Sequence, residues 1–126
     1  MGHGAGAAVA AAESVIGDPY VYGAAGPNSF DCSGLTMWAW AHGGVSLPHS
    51  SQSQYAGSTH IPISAIQPGD LLFYYSDIHH VAMYLGNGQM MEAQQTGVPL
   101  GTRAVAWDED EILPLATRPG TGPDRA

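Results

Sequence analysis

Residues 80–94, His80-Val81-Ala82-Met83-Tyr84-Leu85-Gly86-Asn87-Gly88-Gln89-Met90-Met91-Glu92-Ala93-Gln94, read as two strands folded back on a glycine-rich turn. Which residues face each other depends on the length of that turn. A two-residue Asn87-Gly88 loop pairs Leu85 with Met90 and Met83 with Glu92, which turns Glu92 away from His80. A three-residue Gly86-Asn87-Gly88 loop pairs Leu85 with Gln89 and Ala82 with Glu92 instead. Only the second register gathers Val81, Met83, Leu85, Met91 and Ala93 on one apolar face, with His80, Ala82, Tyr84, Met90, Glu92 and Gln94 on the other. A slip of one residue undoes that sorting, so the three-residue loop is expected. Glu92 is then the diagonal neighbour of His80, at roughly 7–8 Å between backbones and within side-chain reach. A carboxylate there can accept the proton on Nδ1 of His80, leaving Nε2 as a base and stabilising the imidazolium.

Working outward, Gln67-Pro68-Gly69-Asp70 is a turn, and Leu71 to Tyr75 is apolar on both faces, as a central strand must be. Arg103 to Trp107 and Ile112 to Thr117 read as the last strands. Residues 5–16 form a first helix stopped by Gly17, and Asp18-Pro19 forces an extended or turned backbone after it. Cys32 to about His42 is a helix apolar all round, hence buried, with Asp31 as its N-cap. Residues 45–69 read as a long loop with one short helix near Ser51 to Tyr55. Helices followed by consecutive strands indicate an α+β fold with an antiparallel sheet.

The chain of 126 residues is one domain long, 44% apolar and 11% charged, which describes a folded, low-charge globule. Three arginines stand against eleven acids, for a net charge of −8, so no basic footprint for nucleic acid exists. That acidic surface suits a substrate bearing a free amine. The run Asp108-Glu109-Asp110-Glu111 is expected to be a solvated loop or helix start rather than a metal site. The alanine-rich opening lacks a basic flank and soon reaches Glu13, so it is neither a signal peptide nor a membrane span. Met1-Gly2-His3-Gly4 has the look of a cloning remnant, with the rest cut from a longer protein.

Cys32 is the one thiol, so no disulfide forms within the chain. It sits in Phe30-Asp31-Cys32-Ser33-Gly34-Leu35, at a helix start, where free N–H groups and the positive dipole end favour a thiolate. The N–H of Cys32 or Ser33 could serve as an oxyanion donor, and Gly34 allows close approach of backbone or substrate. A lone cysteine is equally often a small buried hydrophobe, and these local features leave both readings open. His79 alternates away from His80, and the histidines show no spacing that argues for a zinc site.

Five segments, in order, resemble the NlpC/P60 family of papain-like cysteine peptidases of bacterial cell walls. They are Gly17 to Gly23, Phe30 to Leu35, Leu47-Pro48, Gln67 to Leu71, and His80 to Gly88. The resemblance implies a papain-like fold, with N-terminal helices packed on a mainly antiparallel sheet of about five to six strands. It implies Cys32 as nucleophile, His80 as base and Glu92 as the group that orients the histidine. It also implies Tyr20 as a hydroxyl near the oxyanion, and Asp31 and Ser33 as substrate-pocket residues. No metal or cofactor is implied. One departure stands out: His49-Ser50-Ser51 follows Leu47-Pro48 where the family commonly has Arg-Thr-Ser, which puts the arginine's contact in doubt and lets His49 replace it only in part.

On that resemblance, residues 1–12 are an N-terminal extension and helix start, 13–118 the catalytic domain, and 119–126 a flexible tail. The expected activity is hydrolysis of an amide bond in peptidoglycan stem peptides, between D-glutamate and diaminopimelate, by a thiolate through an acyl-enzyme. The protein would be secreted or held in a bacterial envelope, act as a monomer, and neither bind nucleic acid nor insert into a membrane. Two other readings remain at this point: a cell-wall-binding or antigen domain that lost activity, and an acyltransferase or amidase using the same thiol. The intact Cys32, His80 and Glu92 set disfavours the first.

Overall fold

A computed structural model describes residues 4–120; residues 1–3 and most of the expected tail lie outside the described residues. Helix α1 (Gly4–Glu13) is followed by a turn rather than continuing to Ile16, and its Ala8, Ala11 and Ala12 are buried. These small side chains let it lie close against helix α2 (Cys32–His42). Gly43, next to the end of α2, is itself pressed against Gly4 and Trp40. Helix α2 buries Leu35, Ala39 and Trp40, and the Trp40 indole N–H donates to the Gly69 carbonyl at 3.0 Å. Full burial of a side chain such as Leu35 contributes about 1.5–3 kcal/mol.

Helix α3 (Ser51–Ala56) falls where the short helix is expected, but strand β1 (Thr59–Pro62) follows it inside the expected loop. Only Thr59 and Ile61 of β1 are half-buried, and Pro62 donates nothing to a ladder, so the stretch carries little strand signal. It is an edge strand, where such residues are tolerated. Strand β2 (Leu71–Tyr74) is buried throughout, as a central strand should be. Strands β3 (His80–Gly86), β4 (Gln89–Glu92), β5 (Gly101–Ala104) and β6 (Leu115–Arg118) complete a six-stranded antiparallel sheet in the order β1-β6-β2-β3-β4-β5. Strand β5 begins two residues before the expected Arg103 and ends before Trp107; β6 starts at Leu115, not Ile112, which forms only an isolated bridge to Tyr74.

The sheet has two unequal faces. Leu71, Phe73, Val81, Met83 and Met91 pack with the helices, while Leu72, Tyr74, Ala82 and Met90 form a smaller cluster on the other side. His80 and Glu92 alternate onto this second face. The hairpin reaches that arrangement by a route different from the expected one. Gly86 pairs with Gln89, so the turn has two residues, and Asn87 and Gly88 both take positive φ (55° and 73°), the geometry of a type I′ turn. The register then shifts between Tyr84 and Gly86, restoring Tyr84↔Met90 and Met83↔Met91. A one-residue bulge, with Gly86 at φ 102°, thus reconciles the tight turn with the register that sorts the side chains.

Candidate active site

Asp31 builds the start of α2. Its backbone is extended, and its Oδ1 accepts from the Gly34 N–H at 2.7 Å, while Oδ2 accepts from the Gly23 N–H at 2.9 Å. Gly34 is required here: a Cβ would lie 2.1 Å from the Ala24 carbonyl oxygen, so the close approach expected of it is made by backbone. Cys32 is thereby held at the helix tip, partly exposed, with its Sγ 3.7 Å from the carbonyl oxygen of His79.

His80, at the start of β3, also hydrogen-bonds the Cys32 side chain. Its Nε2 lies 2.8 Å from Glu92 Oε1. The pairing is as expected, but the atom is not: Glu92 takes Nε2, and Nδ1 is the nitrogen left for the sulfur. Glu92 reaches the ring across a diagonal from β4. Burial disfavours the charged ring, but the hydrogen bonds and charges of Cys32 and Glu92 outweigh it and push His80 up to about 9. Burial likewise pushes Glu92 up, yet His80 and Arg103 hold it below the usual carboxylate range.

Arg103 was not singled out by sequence reasoning. Its Nε donates to Glu92 Oε2, so both carboxylate oxygens are occupied. Strand β5 pairs Arg103 with Met90, which puts it on the same face as Glu92 and diagonal to it. The signal was available in outline, as one of only three cations in the chain, but the order of β4 and β5 was needed to use it. The guanidinium also lies over the Tyr74 ring, 6.0 Å from its centroid.

Cys32 stands between two cavities that share Tyr20 and His79 in their walls. One, of about 440 Å³, is lined by Asp31, Ser33 and His49. The other, of about 250 Å³, is lined by His80, Arg103, Gln94 and Glu109. The structure therefore gathers Tyr20, Asp31, Cys32, Ser33 and His80 around these two cavities, with Glu92 joined to them through His80. The Tyr20 hydroxyl is pushed above its usual range by burial and by the neighbouring Cys32 and Asp31. His49 pairs its Nε2 with Asp31 Oδ1 at 2.7 Å. His79 is exposed, with Nδ1 2.6 Å from Asp77 Oδ1, in keeping with its alternation away from His80.

The segment before β1 also braces the site. The Gln54 amide donates to the Ser33 and Pro48 carbonyls at 3.0 and 2.8 Å, and its Oε1 accepts from Thr36 at 2.7 Å. Ser51 donates to the Ile78 carbonyl, tying α3 to the loop that leads into His80. No helix among the described residues is long and apolar enough to cross a membrane.

Known proteins agree with this architecture. A probable endopeptidase of Mycobacterium tuberculosis is 47% identical over 94 residues, covering 75% of this chain and 24% of the relative, so the chain spans about a quarter of that protein. The crystal structure of the peptidoglycan hydrolase RipB from Mycobacterium tuberculosis superposes with a TM-score of 0.81 at 34% identity, covering 90% of this chain and 63% of that one. RipA, solved with a cysteine, a histidine or a glutamate mutated, gives in its cysteine-mutated form a TM-score of 0.84 at 32% identity, covering 91% of this chain and 61% of that one. Residues 17–109 match the model of the NlpC/P60 family, and the chain belongs to that family.

Proposed function

We propose that this domain is a cysteine endopeptidase that cleaves an amide bond in peptidoglycan stem peptides, between D-glutamate and diaminopimelate. The observation that carries the reading is the chain of contacts from Cys32 to His80 and from His80 Nε2 to Glu92 at 2.8 Å, opening on a cleft. RipB's description as a peptidoglycan hydrolase, and the three residue types mutated in RipA, support it.

In the proposed mechanism His80 Nδ1 takes the Cys32 proton, and the resulting imidazolium is stabilised by Glu92. The thiolate attacks the carbonyl carbon. Negative charge on the oxygen is met by backbone N–H groups at the start of α2 and by the Tyr20 hydroxyl. His80 then gives its proton to the leaving amine, and the C–N bond breaks to leave a thioester. Water, losing a proton to Nδ1, attacks the thioester and releases the acid, restoring the thiol. Arg103 acts through Glu92, keeping it ionised and oriented.

The test is mass spectrometry of purified muropeptides after incubation with wild type and with Cys32→Ala. New amine and carboxyl termini are expected with wild type alone. Identical product maps would sink the peptidase reading.

A further inference from the structure

Three consecutive carbonyls lead into His80, and each meets a side chain from another element. The Asp77 carbonyl accepts from Gln52 Nε2 at 2.9 Å, the Ile78 carbonyl accepts from the Ser51 hydroxyl, and the His79 carbonyl oxygen lies 3.7 Å from Cys32 Sγ. Ile78 sits at φ 57°, in the left-handed region that a β-branched residue rarely adopts. Such a conformation persists only where its surroundings hold it. The Ser51 hydroxyl, bound to the carbonyl of that same residue, is such a hold.

The same short helix is fastened to the other half of the site. Gln54 is buried, its amide donates to the carbonyl of Ser33, the residue after Cys32, and its Oε1 accepts from Thr36. Helix α3 therefore grips α2 just past Cys32 and the chain two residues before His80. It carries no charged side chain. The charged and titratable groups around the thiol and the imidazole are Tyr20, Asp31, Tyr74, His79, Glu92 and Arg103, all from other elements. What α3 controls is thus the distance between sulfur and ring, not the field around them.

We propose that Ser51 is a positioning residue: by holding the Ile78 carbonyl it keeps His80 within hydrogen-bond reach of the Cys32 thiol, while Gln54 anchors the same helix to α2. The proposal rests on the peptidase reading for its kinetic meaning and deepens it by tying the thiol–imidazole contact to one hydroxyl. Ser51 also lines the cavity that holds Asp31, so a direct contact with substrate is the rival role.

The experiment measures alkylation of the folded chain by iodoacetamide over a pH series without substrate, together with melting temperature and muropeptide cleavage. The thiolate is the reacting form, so Ser51→Ala should slow alkylation near neutral pH by about tenfold and move the rate–pH curve to higher pH. In cleavage, kcat should fall with KM little changed. Ser51→Ala combined with Ile78→Asn should recover most of the alkylation rate, because asparagine takes left-handed backbone more readily. Its melting temperature should stay below that of wild type, since Ile78 packs against the main core, so the recovery would not come from stability. A lowered melting temperature with an unmoved alkylation curve would overturn the proposal, as would a raised KM alone or equal slowing in the single and double variants. No cleavage by wild type would fail the peptidase reading and leave the alkylation result standing, whereas cleavage with an unmoved alkylation curve would do the reverse.

Discussion

On the Asp31 side of Cys32, polar groups are spent on each other; on the His80 side, some remain available. Asp31 caps a helix, holds the loop at Gly23 and pairs with His49, so this side is a rigid wall. Across the cleft, Glu92 is likewise saturated, but Arg103 is 39% exposed beside a cavity and keeps N–H donors beyond its bond to Glu92. Rigidity on the Asp31 side positions the proposed nucleophile.

The largest expected effect breaks the His80 side. Glu92→Gln removes the charge that stabilises the imidazolium and should lower turnover on the order of 10²–10⁴-fold, the range of general acid–base effects. Circular dichroism should stay native, and unchanged turnover would remove Glu92 from the mechanism. Gly34→Ala attacks the Asp31 side, since its methyl must displace the Ala24 carbonyl; overpacking of this kind costs about 1–3 kcal/mol. A lowered melting temperature together with slower Cys32 alkylation is the expected reading, and a neutral result would show that the 20–25 loop yields freely.

Acidity sharpens the comparison. His80 is raised from 6.5 to about 9 in the fold, so the stability it contributes is fully present below 6.5 and is lost as pH rises through about 9. Melting curves across that window should fall for wild type and flatten for His80→Gln. Glu92 has the opposite sign: its contribution is present above its ordinary 4.5 and is lost as pH falls through its lowered value. Arg103→Gln releases Glu92 toward its ordinary range, so the acid limb of kcat/KM should move to higher pH; an unmoved limb would leave Arg103 without a role in holding Glu92. The smallest effect belongs to His49→Ala. Asp31 keeps both backbone donors, so the loss should be about 0.5–1.5 kcal/mol by thermal melting, with turnover little changed.

Much of this was legible from pattern alone. The buried helix behind Asp31, the central strand at Leu71 and the sorted faces of the hairpin each follow from apolar spacing. Edges were harder: β1 has too few buried side chains to announce itself, and β5 is displaced because Gly101 and Thr102 carry no strand signal. Arg103 escaped notice because its partner is on another strand, and strand order is a non-local property. Glu109 was read with its acidic neighbours as solvated; only the fold shows that one of the four turns inward. The nitrogen of His80 that meets Glu92 depends on ring orientation, which no sequence pattern encodes.

The bulge at Leu85 separates two kinds of parity. An even-length turn and an odd offset coexist because one strand carries a residue its partner lacks. Turn and active site are therefore independently editable. Deleting Leu85 leaves Gly86 opposite Gln89 and Tyr84 opposite Met90, so His80 and Glu92 stay in phase across a regular two-residue hairpin. The extra residue bends the strand locally without setting which side chains share a face.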